Sequence, residues 1–118
     1  MRVLMIEDND SNAYLARFLL EQRGHSVEVA ATGAAGVTMA RKGGYDVILL
    51  DLRLPDGDGC DFAQQFCTPD VPVIAVSAHA LAIDHRRAIE VGCRSFIEKP
   101  IDVASFVDRI EALVAAPG

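Results

Sequence analysis

Three apolar runs in this chain, and a fourth that is less apolar, each end in a residue equipped for chemistry. Arg2-Val-Leu-Met-Ile6 runs into the acid pair Glu7 and Asp8, Val47-Ile-Leu-Leu50 into Asp51, Val73-Ile-Ala-Val76 into Ser77, and Phe96-Ile-Glu98 into Lys99. A short apolar run closed by turn residues is the pattern of a strand buried on both faces. Parallel strands would bring all four endings to one edge of a sheet, and the crevice outside that edge is where open α/β sheets bind ligands. Taken alone, Asp51 reads equally well as a residue opening the turn-rich stretch Leu52-Arg-Leu-Pro-Asp-Gly-Asp-Gly59. The convergence of four such endings is what makes a site.

Three carboxylates in one cleft repel by several kcal/mol per close pair, so without a cation some would have to hold a proton. A hard divalent cation removes that cost. A donor set made only of oxygens points to Mg2+, which accepts phosphate oxygens as readily as carboxylate ones. Lys99 adds a fixed positive charge and Ser77 a hydroxyl donor. Together they would neutralise a phosphoryl group carried by Asp51, the carboxylate that stands alone on the central run.

The elements that must position these residues follow from periodicity. Asn9, Asp10 and Ser11 can cap a helix with apolar positions Tyr14, Leu15, Phe18 and Leu19, which Gly24 stops. A strand over His25–Ala30 and a helix capped by Thr32 lead to the central strand. A short helical stretch with Phe62, Ala63 and Phe66 follows, and then a helix from His79 to Gly92. In that helix Leu81, Ile83, Ala88 and Ile89 are expected inward and Asp84, Arg86, Arg87 and Glu90 outward. Asp102 is expected to cap a last helix with the stripe Val103, Phe106, Val107, Ile110, Leu113 and Val114. Five strand–helix pairs predict a doubly wound five-stranded parallel sheet with helices on both faces.

Composition bounds the alternatives. At 118 residues, 51% apolar, 24% charged and without repeats, the chain suits one domain over residues 1–118 and excludes disordered and solenoid classes. A net charge of -6 argues against direct nucleic-acid binding. No run is long enough to span a membrane and no signal pattern leads the chain, so a cytoplasmic location is expected. Cys60, Cys67 and Cys93 have no metal or disulfide framework spacing and are expected as reduced, partly buried thiols.

With these motifs in their order, the chain resembles the receiver domain of two-component response regulators from end to end. The motifs are Leu4-Met-Ile-Glu-Asp-Asn9, Val47 through Gly59, Val73-Ile-Ala-Val-Ser-Ala78 and Phe96-Ile-Glu-Lys-Pro100. The resemblance implies a flavodoxin-like (βα)5 fold and phosphotransfer to Asp51 from a histidine kinase or histidine phosphotransfer protein. It implies Mg2+ held by Asp8, Asp51 and the backbone carbonyl of Arg53, with Glu7 acting largely through water. Ser77 and Phe96 take the places of the switch pair, although Phe96 lacks the hydroxyl of the Tyr often found there. The downstream protein target is then expected on the face formed by the fourth helix, fifth strand and fifth helix. The chain would be a monomer or a phosphorylation-dependent dimer, and would catalyse only its own phosphorylation and dephosphorylation.

The stretch between Asp51 and Ser77 is a few residues shorter than is usual in that family, a change expected around Gln64–Asp70. Arg53 and His79 stand two residues beyond Asp51 and Ser77, where the family tunes water's attack on the phosphoryl group; two solvated rim residues are the plainer alternative. Met1 directly before the first strand, and a last helix ending near Ala115, favour a stand-alone receiver over one cut from a hybrid kinase. An aspartate-nucleophile phosphatase of the haloacid dehalogenase type would require Asp-x-Asp, whereas Asp51-Leu-Arg53 lacks the second acid. A flavodoxin-like cofactor binder is disfavoured because Glu7-Asp8 would repel a phosphate.

Overall fold

Each apolar run becomes a strand because its alternate side chains meet an apolar layer on either side. The computed structural model describes residues 1–78 and 81–116. Its elements are β1 (Arg2–Ile6), α1 (Asp10–Gln22), β2 (Ser26–Ala30), α2 (Gly33–Lys42), β3 (Val47–Leu50), β4 (Arg53–Leu54), β5 (Gly57–Asp58), α3 (Gly59–Ala63), β6 (Val73–Ser77), α4 (Ala82–Glu90), β7 (Ser95–Glu98) and α5 (Phe106–Ala115). Strands in the order β2-β1-β3-β6-β7 form a five-stranded parallel sheet, which is the doubly wound α/β architecture expected. The small antiparallel hairpin of β4 and β5 was not expected. It forms where the Pro55-Asp56-Gly57 turn lets the chain fold back directly after Asp51.

Side-chain alternation divides the core into two layers. Leu4, Ile6, Ile48, Leu50 and Ala75 pack towards α2, α3 and α4. Val3, Met5, Val47, Leu49, Ile74 and Val76 pack towards α1 and α5. Full burial of each large side chain contributes about 1.5–3 kcal/mol, which fixes the register of the strands and so the level at which each one ends. The chain leaves β1 for β2 on one side and returns to β3 on the other. The carboxyl ends of β1 and β3 therefore flank a crevice.

The expected caps of α1 and α2 form: Asn9 accepts from the Asn12 N–H at 2.9 Å and Thr32 from the Ala35 N–H at 3.1 Å. The hairpin is held to α2 by Asp56, whose carboxylate accepts from the Gly33 and Ala34 N–H groups at 2.8 and 3.0 Å.

Three inward-facing assignments are corrected. Leu81, Ile83 and Ile89 are 66%, 60% and 53% exposed, and Ala88 alone is buried on α4. On α1, Tyr14, Leu15 and Phe18 are exposed while Ala13, Ala16 and Leu20 are buried, because small residues let the helix lie close to the sheet. The Tyr14 and Phe18 rings stack on each other with centroids 6.3 Å apart. Val103 is exposed and precedes α5, since Asp102 caps a separate turn, accepting from the Ala104 N–H at 3.1 Å and the Ser105 hydroxyl at 2.9 Å. The helix start expected at His79 lies outside the described residues.

Gly59 is required where the hairpin returns to the strand end. A Cβ there would sit 2.3 Å from the Asp51 carbonyl oxygen and 2.8 Å from the Leu52 Cα, both of them backbone atoms. Gly59→Ala is expected to cost about 1–3 kcal/mol in urea unfolding. A variant as stable as the wild type would show that this loop relaxes without needing the close approach.

Candidate functional site

The backbone ladder continues past the ends of the strands and carries the reactive residues with it. Glu7 N–H donates to the Ala30 carbonyl at 2.9 Å, Asp51 N–H to Ile6 at 3.0 Å, and Lys99 N–H to Ser77 at 2.9 Å. Ser77 lies opposite Glu98 in the β6–β7 register. All four strand endings therefore meet at the one edge, as their sequence pattern predicts.

Asp51 is buried at the centre of the group. Its Oδ1 accepts from the Arg53 N–H at 3.0 Å and, more weakly, from Ser77 Oγ at 3.4 Å. Its Oδ2 faces Lys99 Nζ at 3.2 Å. The Lys99 ammonium also donates to Glu7 Oε1, and Glu7 Oε2 accepts from the Asn9 N–H at 3.3 Å. Asp8 is exposed, yet one oxygen each from Glu7, Asp8 and Asp51 lie within 4.8 Å of one another. A cavity of about 90 Å³ opens beside them, lined by Glu7, Asp51 and Lys99 on its polar side and by Met5, Leu15 and Phe106 on its apolar side.

The electrostatics show what the cluster lacks. Burial first, and then the neighbouring Asp51, whose effect exceeds the opposing pull of Lys99, together push the Glu7 carboxyl up to about 7. For Lys99, burial opposes the charge, but the bond to Glu7 and the Asp51 carboxylate outweigh it and raise the ammonium above its ordinary range. One lysine thus faces more negative charge than it can balance. An all-oxygen set at this spacing, with the most exposed member at the rim, fits a hard divalent cation.

Glu7, Asp8, Asp51, Ser77 and Lys99 are thus brought together. Arg53 contributes its N–H to Asp51 and also lines a polar cleft with Asp58, Asp84 and Arg87. Phe96 is buried on β7, and its ring stacks on the His85 ring of α4 with centroids 4.0 Å apart and planes at 15°. His79 lies outside the described residues.

Sequence reasoning missed how the hairpin engages α4. Arg87, expected to be solvated, reaches Asp58 at 2.7 Å, and Asp58 also caps α3 by accepting from the Cys60 N–H at 2.8 Å. The cap was legible as an Asx residue ahead of an apolar helix turn. The ion pair was not, because its partners lie on elements far apart in the chain.

The model of the response regulator receiver domain family matches residues 3–111 of the chain. Among curated relatives, the polar-differentiation response regulator DivK of Brucella anthropi is 34% identical over 114 residues, covering 93% of each chain. Among solved structures, the non-phosphorylated HemR receiver domain of Leptospira biflexa superposes with a TM-score of 0.90 at 33% identity, over 99% of this chain and 96% of that one. The receiver domain of the sensor histidine kinase PA1611 from Pseudomonas aeruginosa, which has a magnesium ion coordinated in its active-site cleft, superposes with a TM-score of 0.86 at 28% identity, over 98% of both chains.

The Glu7 shift fixes a pH dependence. The folded-state value, about 7, lies above the ordinary 4.5, so folding favours the protonated form. That stabilisation is complete below the unfolded value and is lost as pH rises through the folded one. In chelator-treated protein, urea stability should fall between pH 5 and 8, and Glu7→Gln should flatten this slope. An unchanged slope in the variant would assign the titration to another group.

Proposed function

The chain belongs to the response regulator receiver domain family, and on that footing we propose that it takes up a phosphoryl group on Asp51. The donor is the phosphohistidine of a histidine kinase or histidine phosphotransfer protein. The observation that carries this reading is the Asp51 carboxylate itself, buried at the end of β3 with Lys99 Nζ at 3.2 Å and Ser77 Oγ at 3.4 Å. An Asp51 oxygen attacks phosphorus, the P–N bond breaks, and the imidazole leaves with the electron pair. Lys99 exchanges its contact with Asp51 for one with a phosphoryl oxygen, and Ser77 turns its hydroxyl to another.

Asp8, Asp51 and the backbone carbonyl of Arg53 would hold Mg2+, with Glu7 reached through water. The ion, when bound, offsets the charge that accumulates on the phosphoryl oxygens. The magnesium ion coordinated in the active-site cleft of the PA1611 receiver supports Mg2+ as the ion bound here. That receiver comes from a sensor histidine kinase, which also supports a second reading, of this chain as the receiver part of a longer protein.

Signalling follows from the contacts of the switch residues. Movement of Ser77 towards the phosphoryl group vacates space behind it, and Phe96 and α4 rearrange to fill that space. The output is a changed face of α4, β7 and α5, offered to a downstream protein or to a second copy of the chain.

Acetyl phosphate with Mg2+ should add about 80 Da to the wild type and nothing to Asp51→Asn, read by intact mass. Lys99→Ala should slow the gain roughly 100-fold. Ser77→Ala should keep the gain while losing the change in α4 amide exchange. A wild type that gains no mass would end the proposal.

The lifetime of the phosphorylated state is assigned to the side chains of Arg53 and His79. Arg53→Ala and His79→Ala should each change the dephosphorylation rate measurably. Rates matching the wild type in both would leave them as solvated rim residues.

A further inference from the structure

At the opposite end of the molecule from Asp51, two of the three cysteines meet. Cys67 follows the turn that ends α3, and Cys93 sits between α4 and β7, buried in the same core layer that Cys67 packs against. The two thiols are close enough for each to perturb the other, Cys67 being lowered and Cys93 raised from the ordinary thiol range. Gly92 makes the approach possible. A Cβ at that position would sit 3.3 Å from Cys67 Cβ and 3.6 Å from its sulfur, and the φ of +108° is one that side chains resist. The backbone just before Cys93 therefore lies directly against the Cys67 side chain.

We propose that Cys67 and Cys93 form an oxidation site that closes to an intramolecular disulfide when a peroxide reaches it. The two sulfurs have different roles. Cys67 is the more exposed, and the neighbouring Cys93 thiol favours its thiolate, whereas the same neighbour, and then burial, hold Cys93 protonated. The Cys67 thiolate attacks a peroxide oxygen, the O–O bond breaks, and a sulfenic acid forms as hydroxide leaves. The Cys93 sulfur then attacks the sulfenic sulfur, the S–O bond breaks, and the departing hydroxide takes the Cys93 proton as water. Two thiols are oxidised and one peroxide is reduced to water. Cys60 stays out of the reaction, because burial first and then the Asp58 carboxylate push its thiol up to about 11.

The bond would close a covalent ring containing β6, Ser77 and the whole of α4. Its immediate effect is to fix the C-terminal end of α4 to the segment leaving α3, whatever the state of Asp51.

The test is made on the reduced wild-type chain, treated with hydrogen peroxide and then alkylated in denaturant with N-ethylmaleimide. The expected product has lost about 2 Da before alkylation, takes up the label at Cys60 alone, and gives a Cys67–Cys93 cross-linked peptide. Cys60→Ser should behave like the wild type, and Cys67→Ser should keep its mass apart from sulfur oxygenation. Oxidation should also slow amide exchange at residues 82–92. Three alkylated cysteines in treated wild type, a bridge involving Cys60, a cross-link between two chains or unchanged exchange at 82–92 would each overturn the proposal.

Discussion

The concentration of negative charge at the ends of β1 and β3 is the constraint from which the rest of this structure follows. Glu7 and Asp51 are both buried, and Asp8 stands at their rim. Water cannot solvate the inner pair freely, and Lys99 cannot neutralise both, so Glu7 is driven towards its protonated form. Such a cluster is costly to a fold that only needs to be stable. It persists because the fully buried strands set the backbone level at which each carboxylate emerges, and the sheet's apolar layers make that level rigid. The site therefore has spare affinity for positive charge, which a hard cation would satisfy.

The strand endings were legible because a parallel sheet converts a sequence pattern into a position. Four runs ending in polar residues have one geometric outcome once the crossovers make the strands parallel. The parallel sheet with its helices on both faces, the Asn9 and Thr32 caps and the grouping of Glu7, Asp8, Asp51, Ser77 and Lys99 all follow from local pattern and chirality.

What was not legible depends on which side of a helix the sheet covers. The apolar residues at Leu81, Ile83 and Ile89 have helical spacing, but spacing does not say that they face inward. On α4 the residue in contact with the sheet is Ala88, and on α1 alanines again take the closest positions, leaving Tyr14 and Phe18 outside. A small residue allows a close approach and a large one fills a gap, so tertiary distance decides which is buried. The hairpin after Asp51 was hidden for another reason. Its strands are two residues each, too short for any alternation to register.

Two of those unread features, the exposed apolar face and the hairpin, meet at α4, the helix that the proposed phosphorylation would move. It presents a single buried residue to the core, whereas α1 and α5 each present three. Its remaining ties are polar or aromatic: Arg87 to Asp58 on one side, His85 against Phe96 on the other. Asp58 pairs in register with Arg53, whose N–H binds Asp51, and Phe96 lies on the strand that pairs with the one ending in Ser77. Both ties therefore lead back, each through one strand pairing, to a residue hydrogen-bonded to Asp51. An exposed ion pair and a ring stack stabilise far less than a buried aliphatic face, so a helix held mainly by them can be repopulated by a modest change at the strand ends. The weak anchoring of α4 and the excess charge at Asp51 are thus complementary. One supplies a strong local perturbation, and the other supplies an element that a perturbation of that size is able to move.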